Sequence, residues 1–111
     1  MPIEATEHII LAKTLSAGNS SQFVVKTNNP KTVYLFPVAD LTAGENANLQ
    51  RKDPDGTWQD VYDHSFKGAG GQVILDSTVT GVTVVGEGVY RIELENPTNS
   101  IGVAVSDQSN A

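Results

Sequence analysis

The sequence predicts an all-β protein: a single domain folded as an antiparallel two-sheet sandwich of eight or nine short strands. Valine, isoleucine and threonine, which favour strands, account for 29 of the 111 residues. Strong helix formers are sparse, and Gly, Asn, Asp and Pro interrupt the apolar runs about every ten residues. Both jelly-roll and immunoglobulin-like connectivity are compatible with this pattern, and the sequence does not choose between them.

Three strands are predicted in the first third of the chain, over residues 8–15, 21–27 and 32–38. Pro30 ends the second strand, because the residue before a proline is extended and proline cannot join a central ladder. In the third, Val33 and Leu35 alternate with Tyr34 and Phe36, so both faces are apolar. A strand that is apolar on both faces is expected in the middle of a sheet.

The next segment predicts a loop with at most one helical turn, then a hairpin. Residues 42–45 have the form of a capping box, but a glycine lies within its first turn. Residues 53–56, Asp-Pro-Asp-Gly, form a strong turn sequence between two strand-forming runs. Treated as the hairpin loop, they pair Lys52 with Thr57 and Arg51 with Trp58. One face then carries the better core candidates, which are Ala47, Leu49, Arg51, Trp58 and Tyr62.

Four further strands are predicted over residues 72–76, 79–85, 89–95 and 100–106. In the third of these, Tyr90, Ile92 and Leu94 alternate with charged residues and are expected to point inward. In the last strand, the larger apolar residues lie on one face, and Gly102 and Ala104 lie on the other. The domain is therefore bounded as an N-terminal arm (1–7), the sandwich (8–106) and a polar C-terminal tail (107–111).

Composition and charge exclude several classes of function. The chain has no cysteine, so disulfide scaffolds, thiolate metal sites and cysteine nucleophiles are ruled out. Its net charge of −6 argues against a nucleic-acid partner. We see no apolar run long enough to span a membrane and no positively charged start of a secretory signal. These observations predict a protein made in the cytoplasm, without a membrane partner.

Catalytic templates are absent, and the sequence predicts a protein that is not an enzyme. It contains no nucleophile elbow, phosphate-binding loop or zinc-protease motif. The compact acid-and-histidine cluster is Asp60, Asp63 and His64, which could in principle ligate a hard metal or share a proton. Its position between a strand end and a glycine-rich loop favours a solvated rim. We therefore expect no metal, no cofactor and no small-molecule substrate.

The single tryptophan allows two interpretations. Arg51, Trp58 and Tyr62 could form an aromatic platform for a glycan, as in many β-sandwich binding modules. In the other interpretation, which we favour because a small domain usually uses its one tryptophan in packing, Trp58 anchors the edge of the core with Arg51 across its ring.

A partner-binding surface is predicted from the N-terminal part of the chain and the last strand. Residues 1–39 contain two acidic and three basic residues, whereas residues 40–111 contain eleven acidic and four basic ones. The nearly neutral N-terminal part is therefore the candidate docking surface. It contains Ile3 in the arm, with Lys13, Lys26 and Lys31 as the basic residues. The small residues Gly102 and Ala104 would let a second sheet approach closely.

Several segments resemble the small β-sandwich head decoration proteins of tailed phages. The segments are 16–27, 29–36, the hairpin 49–61 and 88–92. The chain is most similar in length and character to the cementing, or staple, proteins of the epsilon-fifteen group of short-tailed phages. This resemblance covers the whole chain and transfers no interface residue.

The resemblance implies a jelly-roll-like virion protein located on the outer surface of the capsid. Its partner would be the major capsid protein, it would act as a homodimer, and it would reinforce the head against internal DNA pressure. A carbohydrate- or receptor-binding module of a phage or bacterial surface assembly is the alternative.

Overall fold

The computed structural model describes residues 4–37, 41, 46–63, 71–95, 97 and 99–109, with side chains described from residue 7 to residue 106 within these ranges. They form ten strands and no α-helix, so the described part contains no helix that could cross a membrane. The strands are β1 (Glu4–Thr14), β2 (Gly18–Asn19), β3 (Phe23–Val25), β4 (Lys31–Phe36), β5 (Asn46–Lys52), β6 (Trp58–Asp60), β7 (Ile74–Leu75), β8 (Gly81–Val84), β9 (Gly88–Glu95) and β10 (Ile101–Ser109).

The strands form two antiparallel sheets, which confirms the predicted sandwich. Sheet A has the order β1-β10-β4-β8. Sheet B has the order β2-β9-β5-β6, with β3 also pairing β9 and β7 also pairing β5. The strand β4, predicted to be central, lies between β10 and β8.

The core lies between the sheets and follows the predicted alternation. In β4, Val33 and Leu35 are completely buried, while Tyr34 and Phe36 lie on the opposite face of the sheet. The inward residues of β9 and β10 are buried as predicted, and these are Tyr90, Ile92, Leu94, Ile101, Val103 and Val105. Alternation identified these positions because side chains of successive strand residues point to opposite faces.

The first and last strands are longer than predicted. Strand β1 begins at Glu4, so residues 4–7 of the predicted arm belong to sheet A. Strand β10 continues to Ser109 and pairs with β1 as far as Glu4 opposite Ser109. The arm was predicted because it precedes the first predicted strand, and the tail because it is polar. Mutual backbone pairing, which does not require apolar side chains, makes residues 4–7 and 107–109 parts of strands. Residues 1–3 and 110–111 lie outside the described residues.

The predicted register of the β5–β6 hairpin is wrong by one residue. The structure pairs Lys52 with Trp58 rather than with Thr57. The loop is a turn closed by the N–H of Gly56 donating to the carbonyl of Asp53 at 2.9 Å, and Gly56 has a φ of 90°. This arrangement is a three-residue loop with a bulge, in which Asp53 faces Thr57. A shift of one residue moves every following side chain to the other face, so Trp58 lies on the outer face of sheet B.

Candidate functional site

An apolar groove of about 410 Å³ crosses the outer face of sheet A, the face directed away from the core. One row of cross-strand neighbours supplies three of its residues: Ile9 of β1 faces Ala104 of β10, which faces Tyr34 of β4. Phe36, from the next row on β4, and Glu7 complete the lining. Ile9 is 67% exposed, so a large aliphatic side chain stands beside two aromatic rings on a rigid sheet.

Gly102 and Ala104 lie on this outer face, as predicted, but they are buried rather than open. Ala104 is only 3% exposed. A Cβ added at Gly102 would lie 2.8 Å from Cε1 of Phe36 and 2.8 Å from the carbonyl oxygen of Leu11. Strand β10 is central, and the neighbouring strands place larger residues over its small ones. The accessible apolar surface of this face therefore belongs to Ile9, Tyr34 and Phe36, and the close approach of a second sheet at Gly102 and Ala104 stays a prediction.

The electrostatics of the groove come from Glu7 and Tyr34. Burial raises the pKa of the Tyr34 hydroxyl, and its hydrogen bond to Glu7 and the charge of that carboxylate raise the pKa further. The tyrosine thus remains protonated and donates to the acid. The residues that line the groove include one acid and no base.

The lysines predicted to form one docking surface lie at different places. Lys31 of β4 lies opposite Asp107 of β10. Lys13 lies on β1 between Leu11 and Thr14, the residues opposite Val103 and Ile101 of β10. These positions are about five residues, or roughly 16 Å, apart along the strand direction. The backbone of Lys26 forms an isolated β-bridge with that of Asn29 in the turn that leads from β3 to β4. Ile3 lies outside the described residues, so its role remains a prediction.

The three residues of the predicted glycan platform do not converge. Trp58 is on the outer face of sheet B, where the Arg91 guanidinium lies 4.4 Å from the centroid of the Trp58 ring. Arg51 lies on the inner side of β5 and donates to the carbonyl of Glu87 at 2.8 Å. Tyr62 is 65% exposed and lines a separate groove between the sheets. The predicted stacking of Arg51 on Trp58 is also wrong, because Arg91 occupies that position.

The outer face of sheet B carries a polar network that the sequence did not reveal. Gln50 accepts a hydrogen bond from Nε of Arg91 at 2.8 Å and donates one to Asp60 at 3.0 Å. Two residues before Gln50 on the same face of β5, the amide nitrogen of Asn48 donates to Glu95 at 2.6 Å and to Glu93 at 3.2 Å. These partners satisfy polar groups that are almost fully buried. The alternation of polar residues along β5 and β9 indicated that each strand has a polar face. Which polar side chains contact each other depends on the register between the two strands.

The acid-and-histidine cluster is likewise divided. Asp60 is engaged with Gln50 on the outer face of sheet B. The backbone N–H of Asp63 donates to the carbonyl of Gly71 at 2.7 Å, and Asp63 lines the groove between the sheets. His64 lies outside the described residues. Within the described part of the chain, no three His, Cys, Asp or Glu side chains form a group that could hold a metal ion.

Comparison with known proteins supports the fold. No protein-family model and no curated protein matches the chain. Among solved structures, the crystal structure of the SPBc2 prophage-derived protein YomS is similar, with a TM-score of 0.63. The two chains are 13% identical, and the match covers 98% of this chain and 96% of YomS. At this identity the likeness establishes a shared fold over nearly the full length of both proteins.

Proposed function

We propose that this protein is a non-enzymatic structural protein of a phage virion, which binds the outer surface of the capsid as a decoration, or cement, protein and stabilises the head. The partner in this proposal is the major capsid protein, and the decorating unit is a homodimer. The apolar groove on the outer face of sheet A carries the proposal. It places Ile9, Tyr34 and Phe36 together on a surface that three paired strands hold rigid.

The chemistry of this groove favours a macromolecular partner. The groove is shallow and open to solvent, and the Ile9 side chain at its side is largely exposed. Buried aromatic and aliphatic anchors are the residues that contribute most to protein interfaces. A contact area of about 800 Å² per partner is sufficient for a stable complex.

The similarity to YomS supports a phage origin. YomS is a prophage-derived protein, and the likeness extends over nearly the whole of both chains. A sandwich of this kind needs no catalytic residue to act as a structural component. The acidic residues that predominate after residue 39 suit the surface that remains in solvent.

Stabilisation of the head follows from linkage. A protein that binds the assembled lattice but not its dissociated subunits stabilises the lattice by about 2.7 kcal/mol per site when its concentration is about a hundredfold above its Kd. Repetition over many equivalent sites makes this contribution large. Two-fold symmetry would let one dimer hold two neighbouring subunits through equal contacts.

The proposal is tested with capsids assembled without this protein. Purified protein is added, and its co-sedimentation with the capsids and their resistance to heat are measured. We expect saturable binding, at a copy number comparable with that of the major capsid protein, and a higher disruption temperature. Ile9→Lys should weaken binding about tenfold or more, since it places a charge at the groove.

Leu15→Lys is the matched control. Leu15 is 64% exposed, nearly as much as Ile9, and it does not line the groove. This variant should bind like the unmodified protein. Failure of the unmodified protein to bind capsids contradicts the proposal, and equal loss of binding in both variants contradicts the assignment of the groove.

A further inference from the structure

Strand β8 lies at one edge of sheet A, and among the described strands it pairs only with β4. The N–H of Leu35 donates to the carbonyl of Thr80, which lies opposite it in the register of β4 and β8. Leu35 and Thr80 are therefore a hydrogen-bonded pair. In the antiparallel register, such pairs alternate with pairs that make no hydrogen bond to each other. Val82 and Val84 therefore bond to β4, whereas the backbone groups of Gly81 and Thr83 point away from it. Among the described residues no strand pairs with that side.

The two edges of sheet A differ in how they are protected from another strand. Strand β1 carries Glu7 and Lys13, its register shifts between Ile9 and Leu11, and the carbonyl of Ile10 accepts a hydrogen bond from the N–H of Ser21. Charges, bulges and covering segments are the usual means of blocking an edge. In the part of the chain that the structure describes, strand β8 has none of these devices: it is uncharged, it contains no proline and its pairing with β4 is regular.

A groove of about 280 Å³ runs beside this edge, between the two sheets. Five successive residues, 82–86, form one side of it, which shows that the groove follows the strand. The other side and the floor are formed by Leu49, Val61, Tyr62, Asp63, Val73 and Tyr90. Leu49, Val73 and Tyr90 belong to the core. Tyr62 and Val85 are 65% and 66% exposed, so two large apolar side chains flank the entrance.

We propose that the β8 edge and this groove bind an extended peptide segment of a partner by strand addition. The outward N–H and C=O groups of Gly81 and Thr83 supply the backbone hydrogen bonds, and the groove takes alternate apolar side chains. The segment is apolar at alternate positions, because core residues Leu49, Val73 and Tyr90 line the groove. This inference is independent of the capsid-binding role proposed for the outer face of sheet A, which lies on different residues.

The probe is a fluorescent synthetic peptide in which valine and threonine alternate, with a lysine at one end. Its binding to the full-length protein is measured by fluorescence anisotropy, and no capsid is needed. We expect a saturable complex with a Kd below about 1 mM. A peptide methylated on alternate backbone nitrogens should bind about tenfold more weakly or worse, since it lacks the donors that pair with the edge.

Two substitutions at one position isolate the backbone contribution. Thr83→Pro removes the outward N–H without removing a bond to β4, and Thr83→Val keeps that N–H. Both variants lose the 2.9 Å contact between the Thr83 and Thr32 hydroxyls. We expect the proline variant to lose binding and the valine variant to retain it.

Hydrogen exchange on the unmodified protein provides a measurement that does not depend on any variant folding. Peptide addition should protect the amides of Gly81 and Thr83 and leave those of Glu7 and Ile9 unchanged. The proposal is overturned by absence of saturable binding up to about 1 mM, by equal binding of the methylated peptide, or by protection elsewhere. It is also overturned if the protein forms a dimer that Thr83→Pro abolishes, because a second copy would then be the occupant.

Discussion

The Arg91 guanidinium lies over the indole ring of Trp58, with 4.4 Å between its central carbon and the ring centroid. The same Arg91 donates from Nε to Gln50, which in turn donates to Asp60. The ring, the cation and the amide thus form one connected group on the outer face of sheet B. The tryptophan contributes to that polar surface and not to the core, and Arg91 already occupies the space over its ring.

The stack should make a measurable but small contribution to stability. A double-mutant cycle with Trp58→Ala and Arg91→Ala, read from denaturant unfolding, should give a coupling energy of about 0.5–1 kcal/mol. The corresponding cycle with Lys52→Ala should give less, because Nζ of Lys52 lies 6.0 Å from the ring centroid. A loss of about 3 kcal/mol or more for Trp58→Ala alone would contradict its placement outside the core.

Replacement of Gly56 should destabilise the protein through the backbone alone. Gly56 has a φ of 90°, and an added Cβ would meet nothing within 4 Å. Gly56→Ala should therefore cost about 1–2 kcal/mol of unfolding free energy, the strain of a left-handed residue. Gly18→Ala is the control, since that position is equally open and its φ is not positive. If both substitutions cost the same, the loop conformation is not as described.

Replacement of Gly102 should destabilise the protein through crowding. The added methyl group meets Phe36 and the carbonyl of Leu11, so Gly102→Ala should cost about 1–3 kcal/mol. In a Phe36→Ala background the cost should be smaller but not zero, because the backbone carbonyl remains. Thermal unfolding of the two single variants and the double variant tests this, and an unchanged cost in the double variant would remove Phe36 from the explanation.

The ionisation of Tyr34 should depend on Glu7. Burial, the hydrogen bond to Glu7 and the Glu7 charge raise the pKa of Tyr34 above its usual value of 10.0. The folded state therefore holds this proton more tightly than the unfolded chain. The stability that it contributes is complete below pH 10 and is lost as the pH rises through the folded-state pKa.

Ultraviolet titration of the tyrosinate absorbance measures this dependence. Glu7→Gln should lower the pKa of Tyr34 toward its usual value, although burial keeps it raised. Glu93→Gln on sheet B should not affect this titration. An unchanged Tyr34 titration in the Glu7→Gln variant would exclude the contact.

Much of the fold followed from short-range patterns in the sequence. The alternation in β9 and β10 identified their buried faces, and the two apolar faces of β4 placed it in the middle of a sheet. The candidate interaction surface followed only in part. Gly102 and Ala104 were assigned to the correct face, but the residues that cover them come from β1 and β4. Their neighbours depend on long-range strand pairing, which no local pattern encodes.

Local sequence patterns were enough to predict an all-β sandwich and to identify the residues of β4, β9 and β10 that face the core, and the composition excludes cysteine. These are local properties, because side-chain direction alternates along any strand. Three features required the folded structure: Trp58 lies outside the core, Phe36 covers Gly102, and no described strand pairs with the outer edge of β8. These features depend on register and strand order. One additional loop residue turns every following side chain of a strand to the other face, and the order of all the strands in a sheet decides which strand lies at its edge.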